Sequence, residues 1–163
     1  EIQIGKLPQK FVTKFLGTKR CADLWGLEAV RGPLEEMVAE LKNKPKGEDL
    51  PLVNLTVTDK GLVVKTHKAS KTKMDEWKDE HHIPLEFVSY GVQDTMHPRI
   101  FVYIVVKELS VRQRVTECQA FLCDSVVSAR KLALSLSRSF ELYAKELNGK
   151  PFKFQVDLQT PSE

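Results

Sequence analysis

The sequence predicts an α+β chain that is mainly β, and three observations carry that prediction. Short runs alternate apolar and polar residues, as in Leu52–Thr58, where Val53, Leu55 and Val57 fall on one face; a period of two marks a half-buried strand. One long stretch, Ala129 to Leu147, repeats its apolar residues at three- and four-residue steps, the period of an amphipathic helix. No Walker loop, Gly-x-Ser-x-Gly elbow or dinucleotide fingerprint accompanies them. Strands closed by a helix, without a catalytic constellation, point to recognition and not to an enzyme.

The strands and helices follow in order. Phe11–Gly17 mixes β-branched and aromatic residues and reads as a strand stopped by its glycine. Gly32-Pro33 interrupts any earlier helix, and Pro33 suits a first helical position, where its missing N–H is lost at no cost. Glu35 and Glu36 complement the dipole of that first turn, and Leu34, Met37, Val38 and Leu41 supply the apolar stripe. Leu52–Thr58, the Asp59-Lys60-Gly61 turn and Leu62–Thr66 form a β-hairpin. His67 to Glu80 is a hydrophilic break.

Ile83–Gly91 reads as one strand, and Pro84, which has no N–H for a ladder, marks it as an edge. Asp94–Arg99 turns the chain, Ile100–Val106 is a strand, Lys107–Arg114 a charged connection, and Val115–Cys123 the last strong strand. Asp124-Ser125 offers a helix N-cap, and Asn148-Gly149 with Pro151 supplies the stop. The tail alternates again, Phe152, Phe154, Val156 and Leu158 against Lys153, Gln155 and Asp157. It reads as a strand on its own sheet or a disordered extension in preference to an intramolecular competitor in a binding groove.

Composition narrows the functional classes. With 163 residues, 42% of them hydrophobic, the chain is one domain's worth and can bury a core without staples. Its 25 basic and 22 acidic residues leave a net charge of +3, too balanced for a bulk nucleic-acid binder. Three cysteines without paired spacing argue for a reducing, cytoplasmic compartment. Glu1–Lys6 reads as neither a signal nor a transit peptide, and no apolar run approaches the roughly 18 residues of a membrane span. His67, His81, His82 and His97 do not fall at zinc spacing with the cysteines, so neither a metal nor a cofactor is expected.

Several particular stretches, in this order, resemble a phosphotyrosine-binding (PTB/PID) domain of the Disabled, Numb and low-density-lipoprotein-receptor-adaptor type. They are Lys14-Phe15-Leu16-Gly17, the helix after it, Leu55-Thr56-Val57 through Gly61-Leu62, and Phe87-Val88-Ser89-Tyr90 with Asp94. Phe101-Val102-Tyr103-Ile104, Cys118-Gln119-Ala120-Phe121 and the closing helix with Ser139-Phe140 complete the set, with Gln119 standing where the family usually has histidine. The resemblance places the domain at 10–148, with extensions at 1–9 and 149–163. It implies a pleckstrin-homology-like β-sandwich of two antiparallel sheets, an inserted N-terminal helix and a capping C-terminal helix.

It also implies an adaptor or scaffold that binds Asn-Pro-x-Tyr motifs of cytoplasmic receptor tails in signalling or endocytosis. The peptide would add a strand to an open edge and pack against the last helix. The implied receiving edge is Phe87, Val88, Ser89, Tyr90 and Gly91, with Leu136 and Phe140 on the helix. Lys107, Arg112 and Arg114 lie where the family places the tyrosine or its phosphate. The alternative is a pleckstrin-homology-like domain docked on phosphoinositide membranes, at the inner face of the plasma membrane, through Lys65, Lys68, Lys71 and Lys73. Each of these residues also has a plain reading, Phe140 as core and the charged residues as solvated surface.

Overall fold

Every long strand of the molecule finds an antiparallel partner, which satisfies its backbone N–H and C=O groups along the ladders. The computed structural model describes residues 2–45, 47–72, 80–149 and 155–158. In chain order it has β1 (Gln9–Arg20), α1 (Leu27–Lys42), β2 (Leu52–Val57), β3 (Gly61–Thr66) and β4 (Glu80–Pro84). A 3-10 turn (Leu85–Phe87) precedes β5 (Val88–Gln93), β6 (Ile100–Ser110), β7 (Gln113–Leu122), α2 (Val126–Glu146) and β8 (Gln155–Asp157). The strands lie in the order β4-β3-β2-β1-β7-β6-β5-β8, and among the described residues only the β5/β8 pairing is parallel.

The sandwich is thus one continuous sheet bent over itself. Val53, Leu55, Val57, Leu62 and Val64 of one half share a core with Phe101, Tyr103 and Phe121 of the other. Leu132, Leu136 and Phe140 of α2 close that core. Each fully buried aliphatic or aromatic side chain here contributes about 1.5–3 kcal/mol. A second core lies on the outer face of β5, β6 and β7, where Val30, Leu34 and Met37 of α1 meet Tyr90, Val102 and Ile104.

Several boundaries differ from those the sequence suggests. Gly17 does not stop β1: the strand runs on to Arg20, and a register shift against β7 lies between Phe15 and Gly17, a usual role for a strand glycine. The first helix starts at Leu27, so Pro33 lies inside it. Its missing N–H removes one helical bond, and burial of Ala29 and Val30 extends the helix regardless.

Ile83–Gly91 is not one strand. Leu85 is drawn into the core and its N–H donates to the Lys60 carbonyl at 2.9 Å, which breaks the run into β4, a turn and β5. Pro84 therefore marks the β4 edge, at the opposite end of the sheet from β5. Lys107–Arg114 is no loose connection but the end of a β6–β7 hairpin, with Lys107 opposite Val115 and Glu108 opposite Arg114. Val115–Cys123 falls on β7, and the alternating tail supplies the short β8 after α2.

Candidate functional site

All six residues of β5 are buried, although β5 would be a sheet edge without β8. Gly91 explains how α2 lies so close. A Cβ at that position would sit 2.4 Å from Leu136 Cδ2, so the glycine lets the end of the Leu136 side chain rest directly on the strand. Both ends of α2 are fixed. Ser125 caps it by accepting from the Ser128 N–H at 3.0 Å, and Gln93 Nε2 donates to the Val126 carbonyl at 3.0 Å. At the other end, Ser139 donates to the Thr58 carbonyl and Lys60 pairs with Glu146 at 3.1 Å. α2 is thereby held beside the outer edge of β5, and that edge together with α2 forms the groove.

β8 fills part of this groove. Tyr90, Gly91 and Val92 face Gln155, Val156 and Asp157 in parallel register. Strand alternation sends Val156 and Leu158 onto the core beneath α2 and Asp157 to the other side. There the Tyr90 hydroxyl donates to Asp157 Oδ2 at 3.2 Å. Burial first, then the Asp157 carboxylate, pushes the Tyr90 phenol above its ordinary range. From α2, the Arg130 guanidinium donates to the Leu158 carbonyl at 2.6 Å.

The residues expected on the receiving edge divide into two groups. Val88, Ser89, Tyr90 and Gly91 are on β5, whereas Phe87 belongs to the preceding turn and is 39% exposed. Leu136 and Phe140 are both fully buried, so Phe140 is a member of the core. The Ser89 hydroxyl is already engaged with the Leu24 carbonyl.

The three basic residues expected around the tyrosine lie apart. Arg114 lines a hollow of about 300 Å³ at the start of β5, together with Trp25, Phe87 and Ser89. Lys107 pairs with Glu117 at 3.2 Å, and Arg112 stands at the exposed hairpin tip. Lys65, Lys68 and Lys71 are exposed at and beyond the end of β3, away from the groove in the strand order. Lys73 lies outside the described residues, as do Phe152 and Phe154.

Sequence reasoning did not single out Trp25 or Arg130, nor the partnership of Tyr90 with Asp157. The tail's alternation was the one available signal for the last. Asp94 turns out to be an anchor: buried, it accepts from Arg31 at 2.7 Å and from the His97 N–H at 2.7 Å, which ties α1 to the β5–β6 turn. Gln119 is likewise internal, accepting from the Tyr103 hydroxyl.

The thiols follow strand parity, with Cys118 against α1 and Cys123 in the core beneath α2. A hydrogen bond with Cys118 lowers the Cys21 thiol to about 7, and the same contact, then burial, raises Cys118. Among the described residues, no three His, Cys, Asp or Glu side chains cluster to hold a metal, and no helix is long and apolar enough to cross a membrane.

Comparison with known proteins places this geometry. The sequence model of the phosphotyrosine interaction domain (PTB/PID) matches residues 11–153. The chain is 24% identical over 132 residues to Low density lipoprotein receptor adapter protein 1 of Homo sapiens, and 25% identical to Low density lipoprotein receptor adapter protein 1-B of Xenopus laevis. Each alignment covers 81% of this chain and 39% of the relative, so the chain spans well under half the length of these proteins. Among solved structures, the C-terminal phosphotyrosine interaction domain of APBB2 from mouse superposes with a TM-score of 0.59 at 21% identity. That superposition covers 85% of this chain and 89% of the other.

Proposed function

Because the chain belongs to the phosphotyrosine interaction domain (PTB/PID) family, a family of non-enzymatic protein-interaction domains, we propose that its β5–α2 groove binds Asn-Pro-x-Tyr-like peptides of receptor tails. The peptide adds a strand to β5 and seats apolar side chains against α2. The observation that supports this reading is that β5 takes Gln155–Asp157 as a ladder partner while Val156 packs on the core beneath α2. Val88, Ser89, Tyr90 and Gly91 supply the edge, with Leu136 forming the floor. Phe140 acts from behind that floor as a support.

The hollow at the start of β5 is the natural place for the tyrosine. Trp25 and Phe87, both partly exposed, offer aromatic walls, and Arg114 offers a guanidinium for a phosphate. Lys107, already paired with Glu117, and Arg112, at the hairpin tip, have lesser parts in this reading. The protein would then serve as a cytoplasmic adaptor or scaffold for receptor tails, in line with the relatives named as receptor adapters.

Calorimetric titration with one Asn-Pro-x-Tyr peptide, phosphorylated and plain, tests the proposal. Binding near micromolar, about −8 kcal/mol, is expected, and Arg114→Gln should remove any preference for the phosphorylated form. Absence of heat with both peptides would overturn the reading.

A second reading rests on the exposed Lys65, Lys68 and Lys71, a basic group at and beyond the end of β3. Such a group suits the anionic headgroups of a phosphoinositide membrane, at about 1 kcal/mol per residue near the surface. Vesicle sedimentation with and without phosphoinositide separates it from peptide binding.

A further inference from the structure

The parallel β8 strand differs from every other strand in what it does for the fold. The side chains that are fully buried in the core come from other elements, while Val156 and Leu158 are only partly buried against it. A three-residue strand is short by any standard, and its attachment to α2 supplies a high local concentration where its own affinity is low. Yet its contacts are specific. Val156 and Leu158 face the apolar floor, Asp157 receives the Tyr90 hydroxyl at 3.2 Å, and the Leu158 carbonyl receives Arg130 at 2.6 Å.

Tyr90 of β5 and Arg130 of α2 meet the strand from different sides, Tyr90 on the sheet face that packs on α1 and Arg130 from the α2 side. Together they read one strand at two points, a side chain and a main-chain carbonyl. A carboxylate suits the first point because it accepts from a phenol through a charge-assisted bond. The groove therefore favours a strand with apolar, acidic and apolar residues in succession, and the chain's own 156–158 has that pattern.

We propose that Gln155–Leu158 is a resident ligand of the β5 edge, recognised by Tyr90 and Arg130 through an apolar–acidic–apolar pattern, and that a peptide enters the groove only by displacing it. The inference rests on the peptide-binding reading of the groove and adds its regulation and a preference for acidic strands. The apparent affinity for an outside peptide is reduced by the fraction of time the tail leaves the edge open.

The test uses the full chain and its double variant Val156→Asp/Leu158→Asp, which places charge against the apolar floor. Amide exchange in β6 and β7 reports that the variant is folded. If it is not, Asp157→Lys, which leaves both apolar residues in place, serves in the same comparison. Three probes are applied: exchange at Tyr90–Val92, a synthetic peptide of residues 151–163, and an Asn-Pro-x-Tyr peptide.

The expected results are faster exchange at Tyr90–Val92 in the variant and binding of the 151–163 peptide about tenfold tighter by the variant than by the parent chain. The Asn-Pro-x-Tyr peptide should bind the variant about tenfold tighter, the value for a tail that vacates the edge about a tenth of the time. Unchanged exchange at Tyr90–Val92, equal Asn-Pro-x-Tyr affinity in the two chains, or failure of the 151–163 peptide to bind the variant would each overturn the proposal. Tighter binding of the 151–163 peptide by the variant, with no Asn-Pro-x-Tyr binding to either chain, would overturn the peptide-motif reading and leave the resident strand standing.

Discussion

The sheet has two ends, and they handle the hazard of an unpaired strand in opposite ways. At one end β4 carries Glu80, His81 and His82 and finishes at Pro84, with alternate residues exposed. Charge, imidazoles and a proline on an outermost strand discourage further pairing. At the other end β5 is Val-Ser-Tyr-Gly-Val-Gln, wholly buried, overlaid by α2 and paired with β8. One edge is closed by its chemistry, while the other is closed by a segment of the chain and keeps the chemistry of an acceptor.

The edge covered by the tail depends most on the packing of α2 behind it. Phe140→Ala empties a fully buried site beneath the groove and should lower stability by about 3–5 kcal/mol in urea unfolding. A loss below about 1 kcal/mol would mean that the core beneath α2 closes over the vacated site.

Each edge also has a close-approach glycine, and the two predict different outcomes. A Cβ on Gly61 would meet the Ile83 carbonyl oxygen of β4 at 2.1 Å, a backbone atom that cannot step aside. Gly61→Ala should cost about 3 kcal/mol. On Gly91 the Cβ meets only the end of the Leu136 side chain, so Gly91→Ala should cost about 1–2 kcal/mol. Parallel denaturation curves check the ranking, and equal costs would show that α2 is as rigid as the β3–β4 ladder.

Tyr90→Phe removes the hydroxyl bonded to Asp157 while keeping the ring in the core against α1. A loss of about 1 kcal/mol in thermal unfolding is expected. The same variant with Asp157→Asn should show no further loss if the two groups act as a pair.

The smallest effect belongs to the β4 edge. Burial first, then Lys107 and His82, lowers the His81 pKa below 6.5. A folded pKa below the unfolded one means that protonation favours the unfolded chain. The stability tied to neutral His81 is therefore present above pH 6.5 and is lost as pH falls through the lower folded value. His81→Gln should flatten the stability profile between neutral and mildly acid pH, as followed by unfolding at several pH values. Glu80, which contacts His82 at 3.3 Å, should be kept intact in that comparison.

Much of this was legible in the residues. The Leu52–Thr66 hairpin, the Ser125 cap and the stop at Asn148-Gly149, where φ is 52° and 88°, all agree with the local chemistry. Local signals also misled in identifiable ways. Pro33 resembles a helix start, but a helix whose earlier turns bury Ala29 and Val30 tolerates one missing bond. Pro84 was a sound edge signal attached to the wrong edge, because Leu85 leaves the ladder for the core. Of the proposed site, the segment that forms β5 was indicated by the family resemblance, whereas Trp25 and Arg130, distant in sequence from β5, were not.

The sequence by itself determined the periods, the caps, the balance of charge and the family, because these depend on neighbours within a few residues or on an ordered set of short motifs. Only the tertiary structure decided which edge is closed by charge and which by the tail. It also decided that Phe140 is core, and that Asp157 meets Tyr90 across 67 positions of chain. A period of two says that a segment is a strand with two faces. Which strand it joins, and in which direction, is set by where α2 releases the chain and by the apolar surface left uncovered beside it.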